Sequence, residues 1–202
     1  MTRAELKTLA KAQLKGKVGM FFLCSLIIGA ISLVSVIPVA GTIALLLITP
    51  SLSIGLILVY LDATKNENPK VARMFDGFQY FGKAILLMLL VGIFTLLWSL
   101  LFYIPGIIKS ISYSMSYYIL AENPQMTARE ALNESKAIMH GHKMEYFVLG
   151  LSFIPWILLV MVTFGIAAIW VMPYMQLTIT NFYNSIKRQE TVAQGGDAAV
   201  EF

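Results

Sequence analysis

Five polar residues in an otherwise apolar stretch, Lys109, Ser112, Tyr113, Ser116 and Tyr117, recur at i, i+3, i+4, i+7 and i+8, with Ile108, Ile111, Met115 and Ile119 opposite. That spacing is one stripe of a helix, and such a stripe can line a polar cavity or groove. Gln176, Thr180, Tyr183 and Asn184 repeat the idea farther along. A charged residue in an apolar span is a candidate for ion or head-group contact. Lys109 stands only four residues past Pro105, about 6 Å along a helix, so its ammonium can equally snorkel to the outer surface of the membrane.

Other chemistry has less support. His140 and His142 flank Gly141, but a catalytic zinc takes three protein ligands, and the chain has 2 histidines and 1 cysteine, Cys24. No phosphate-binding glycine loop, nucleophile elbow or His-Glu-x-x-His helix occurs. Glu122, Glu130, Glu134 and Glu145 are scattered through a loop where caps and ion pairs explain them. The expectation is a protein without catalytic residues, metal or cofactor.

What must position the two stripes is a set of apolar helices. Of 202 residues, 58% are hydrophobic and 13% charged, against about 25% charged in water-soluble domains. Uncharged runs exceed the ~20 residues that cross ~30 Å of hydrocarbon, and no ten-residue alternation suggests a β-barrel. The fold class expected is all-α, a polytopic membrane helix bundle. Six transmembrane helices, at 18–37, 42–61, 84–103, 105–121, 146–163 and 166–185, pair as three hairpins. Their turns fall at Pro38 and Gly41, at Tyr103 to Gly106, and at Thr163 to Gly165. The first run is too long for a signal peptide and is expected to be retained.

Cytoplasmic loops carry an excess of lysine and arginine. Of the 15 basic residues, 14 fall before span one, in the loops 62–83 and 122–145, or after span six. Both ends are therefore expected in the cytoplasm, of a bacterial plasma membrane. Aromatic residues mark all six inner boundaries: Phe21 and Phe22, Tyr60, Tyr80 and Phe81, Tyr117 and Tyr118, Tyr146 and Phe147, Phe182 and Tyr183. They read as interfacial anchors. The stretch 186–202 reads as a flexible cytoplasmic tail.

Residues 1–17 form an amphipathic cytoplasmic surface helix in which Arg3, Lys7, Lys11 and Lys15 recur every four residues, a pattern suited to anionic lipid head groups. The same segment repeats: residues 2–22 align with 127–147 at an offset of 125, matching Thr2 with Thr127, Glu5 with Glu130, Lys11 with Lys136 and Gly16 with Gly141. Each copy opens on a capping box. A fainter third copy is expected before span three, around Lys70 to Gly77. Small residues at Ser25, Gly29 and Ser32, and at Gly92, Thr95 and Ser99, suggest close helix packing.

The stretch from Ile104 to Pro124 (IPGIIKSISYSMSYYILAENP), continued by Ala131 to Leu158, by Pro173-Tyr174 to Phe182-Tyr183 and by Lys11 to Gly16, resembles a family of integral membrane proteins from Gram-positive bacteria, domain-of-unknown-function family 975. The resemblance implies a multi-pass plasma-membrane protein and carries over no catalytic or binding residue. The function expected is non-catalytic binding of lipid or of another membrane protein, a homo-oligomer included. The alternative is transport of a small molecule or lipid along a polar path between spans four and six. The net charge of +4 follows from membrane orientation and gives no reason to expect nucleic acid.

Overall fold

The computed structural model describes residues 1–36, 39–65, 69–101 and 103–197, all of whose regular structure is helical. In chain order the helices are α1 (Arg3–Leu14), α2 (Val18–Ser32) with a 3-10 turn at Leu33–Val36, α3 (Ala40–Thr64), a 3-10 helix at Val71–Tyr80 and α4 (Phe81–Leu101). There follow α5 (Tyr103–Tyr113), α6 (Ser116–Glu122), α7 (Ala128–Ile138), α8 (Lys143–Leu151), α9 (Ile154–Val162) and α10 (Ala168–Asp197). Three stretches are long and apolar enough to cross a membrane, Ala40–Thr64, Val71–Leu100 and Lys143–Val162, and the α1–α2 pair, bent by 88°, would make a fourth. The expected span 105–121 is divided between α5 and α6, and 146–163 between α8 and α9. The expected tail begins inside α10, which stays helical to Asp197, while 198–202 lie outside the described residues, as does the turn proline Pro38.

The repeat shares its conformation. Thr2 Oγ1 accepts the Glu5 amide and Glu5 accepts the Thr2 amide, at 3.3 and 3.0 Å; Thr127 and Glu130 do the same at 3.3 and 2.8 Å. Both helices then end at a glycine in the left-handed region, Gly16 at φ +82 and Gly141 at φ +86, where a Cβ would be strained. The third segment differs. It is a 3-10 helix without a side-chain cap and runs straight into α4. Its packing on α3 depends on Gly55 and Gly77. A Cβ on Gly55 would sit 1.7 Å from the Met74 carbonyl oxygen, and one on Gly77 would sit 2.0 Å from that of Ser51, so backbone lies directly on backbone. Gly29 and Gly92, expected at helix contacts, face open space. Gly106 packs against Ser99 instead, where α5 folds back on α4.

The packing is cyclic. The 3-10 helix lies on α3, α7 lies on α4, α5 and α6, and α1 lies on α10. Each leading segment thus covers the helix pair before it, and the first covers the last. Where α3, α6 and α10 converge, five of the eleven expected interfacial aromatics are core. Tyr60, Tyr118, Phe182 and Tyr183 are buried, with Phe21 stacked on Tyr60 at 4.8 Å, Tyr118 on Tyr183 at 5.1 Å and Tyr146 by Phe182 at 5.5 Å. Phe22, Phe81 and Phe147 remain exposed. The far ends of the helices are bare of cover, and Phe164 is 97% exposed.

Candidate functional site

The first stripe does not survive as a single face. Ser112, Ser114 and Ser116 each turn a hydroxyl back to the preceding turn, onto the carbonyls of Ile108, Ile111 and Tyr113 at 2.8, 2.8 and 2.6 Å. Such back-bonding bends helices, and here the helix breaks between α5 and α6. The polar residues then part. Lys109 Nζ lies 4.6 Å from the Trp98 ring centroid. The Ser112 carbonyl accepts a hydrogen bond from Ser135 of α7 at 2.8 Å. Tyr113 faces Phe94 at 6.4 Å and Lys136 at 5.5 Å. Ser116 is buried and Tyr117 half-buried. Tyr118, one residue on, turns to α10.

The second stripe holds together because α10 is unbroken. Gln176 Nε2 donates to the Tyr118 hydroxyl at 2.6 Å, and Thr180 Oγ1 donates to the Gln176 carbonyl at 2.9 Å. The Tyr183 hydroxyl donates to Glu122 at 2.8 Å, and Asn184 Nδ2 to Thr64 Oγ1 at 3.0 Å. Glu122 also accepts Lys187 and has Lys65 at 3.7 Å. Burial of Glu122 opposes its ionisation, but the hydrogen bonds from Lys187 and Tyr183 and the charges of Lys187 and Lys65 outweigh it, leaving the carboxyl below its ordinary range. The seam therefore runs from Gln176 to an ionic knot joining α3, α6 and α10. Beside it lies a cavity of about 250 Å³ lined by Asp62, Lys65, Arg73, Glu122 and Lys187. Arg73 is engaged there by Asp62 at 3.2 Å and Asp76 at 2.9 Å. Sequence spacing missed Tyr118, Glu122, Thr64 and Lys65. The available signal was that Tyr118 and Glu122 share a face, as Tyr183 and Lys187 do, four residues apart.

Of the four lysine and arginine residues expected at the lipid surface, Lys7 turns toward protein, and Lys11, though exposed, lies near two rings. Lys7 donates to the Ser152 carbonyl, released at the α8–α9 break, at 3.1 Å and lies 4.9 Å over Phe153. Lys11 lies 5.9 Å from the Trp156 ring and 6.0 Å from Tyr174. Desolvation first, then the charges of Arg3 and Lys11, hold the Lys7 ammonium below its usual range. Arg3 and Lys15 are exposed. Lys136, at the repeat position of Lys11, likewise sits over an aromatic pair, Phe94 at 5.8 Å and Tyr113 at 5.5 Å. Each leading α-helix thus plants one cation over two rings drawn from the two arms of the pair it covers.

A second cavity, of about 260 Å³, lies between α5 and α8, lined by Ile107, Ile108, Ile111, Met144 and Phe147 with Lys143. Nearby, His142 Nδ1 is 3.2 Å from Glu145 and His140 is exposed; among the described residues no three His, Cys, Asp or Glu side chains cluster. A family model described as protein of unknown function (DUF975) matches residues 1–112 and 101–190. No curated protein and no solved structure matches the chain.

Proposed function

The chain belongs to the DUF975 family of proteins of unknown function, and from that premise we propose that it is a six-span plasma-membrane protein with both ends cytoplasmic that binds lipid without catalysing a reaction. The observation that carries the proposal is the state of the polar seam. Gln176, Thr180, Tyr183 and Asn184 all have partners within the protein, so the path a transported solute would use is filled by mutual hydrogen bonds. The groove between α5 and α8 is instead apolar. The bare apolar ends of the helices suit hydrocarbon, and so does the turn after α9. There the amides of Thr163 to Ala168 all find acceptors within the turn, Ala167 by way of Thr163 Oγ1 at 3.1 Å, as a low-water environment demands.

Native mass spectrometry of the gently purified protein should show retained phospholipid. A single cysteine at position 180, in a Cys24→Ala background, should resist a charged methanethiosulfonate reagent until the protein is denatured. Fast reaction in the folded state would favour the transport alternative, and complete loss of lipid would contradict the proposal.

A further inference from the structure

The groove between α5 and α8 combines two properties that select one class of lipid. Its walls are Ile107, Ile108 and Ile111 on one side and Met144 and Phe147 on the other, and Met144 is 69% exposed. Exposed apolar surface of this kind accepts an acyl chain. At one end stands Lys143, at the start of α8 and on the side expected to face the cytoplasm. Glu145, its nearest acidic neighbour in sequence, is engaged by His142 at 3.2 Å.

Two further cations belong to neighbouring helices, one on α5 and one on α7. Lys109 follows Ile108 on α5 and rests on Trp98 at 4.6 Å. Lys136 donates to Asn133 at 3.0 Å and rests on Phe94 and Tyr113. Desolvation and then the charge of Lys109 hold the Lys136 ammonium below its usual range, so the two charges feel one another. Among the described residues none of Lys109, Lys136 and Lys143 is ion-paired with a carboxylate. An apolar slot lined at one end by Lys143, which has no carboxylate paired to it among the described residues, is complementary to an amphiphile bearing a negative head group.

We infer that this groove binds one anionic glycerophospholipid of the cytoplasmic leaflet, its phosphate at Lys143 and an acyl chain along Ile111, Ile108 and Ile107. The inference rests on the lipid-binding function proposed above and adds the site and the sign of the head group. Phosphatidylglycerol and phosphatidylcholine with identical acyl chains distinguish them, each titrated onto the full delipidated chain and followed by native mass spectrometry. Phosphatidylglycerol should bind at least about fivefold more tightly, the scale of one lysine near an anionic head group. Lys143→Gln should abolish that preference, while Lys70→Gln, an exposed lysine outside the groove, should keep it. Met144→Trp, which fills the slot, should weaken both lipids alike. Equal binding of the two lipids to the native chain, or a preference that survives Lys143→Gln, would overturn the inference and leave the lipid-binding proposal standing. Binding of neither lipid would overturn both.

Discussion

Replacing Glu122 with glutamine removes the negative charge at which α3, α6 and α10 meet, while keeping the shape of the side chain. The cost can be worked from its partners. The Glu122 side chain is 15% exposed, whereas Lys65 and Lys187 are 54% and 46% exposed, so each ion pair is screened and contributes only ~0.5 kcal/mol. The hydrogen bond from Tyr183 weakens from a charged to a neutral acceptor, a loss of ~1 kcal/mol. A total of about 2 kcal/mol lowers the melting temperature of a chain this size by about 4–8 °C. The pH dependence has a definite sign. The folded carboxyl lies below its ordinary value, so its contribution is complete above the unfolded value of about 4.3 and fades as pH falls through the folded one. Thermal melts in detergent should therefore separate the two proteins near neutral pH and bring them together under acid. Melting temperatures within about 1 °C at neutral pH, or a gap that persists in acid, would refute the ionic knot.

Gly55→Ala and Gly77→Ala should each destabilise by about 1–3 kcal/mol, because the new methyl meets backbone that cannot swing aside. Gly29→Ala and Gly92→Ala, in open space, should be neutral or stabilising by up to ~1 kcal/mol; a shared response across all four in thermal melts would contradict the 3-10 contact on α3. Gly16→Ala and Gly141→Ala should cost about 1–2 kcal/mol each, since both turns need positive φ. If either substitution raises the melting temperature, the repeated turn is misassigned.

The helical fold, with helices long and apolar enough to cross a membrane, was legible in the poverty of charge, and the repeated helix–turn–helix in the spacing of Thr2, Glu5 and Gly16 against Thr127, Glu130 and Gly141. Other features depend on partners that no local pattern names. The break after α5 has no proline or glycine to announce it, only serines that bond back to their own turns. One consequence is that Tyr118 rather than Tyr117 meets Gln176. An amphipathic helix reads the same whether its face meets lipid or protein, so the inward turn of Lys7 and the nearness of Lys11 to two rings appear only with α8–α10 in place. Small residues permit close approach without saying what approaches. Gly55 and Gly77 lie far apart in sequence, and neither alone signals their contact.

The orientation of the proposed six-span bundle is open to one direct measurement. Phe164, at the turn between α9 and α10, is 97% exposed and lies on the face opposite Lys187 and the ionic knot. With Cys24 replaced by alanine, a single cysteine at position 164 should react with a membrane-impermeant maleimide on intact cells, and one at position 70 should react only after lysis. Labelling at 164 that also waits for lysis would contradict a bundle whose three turns face outward.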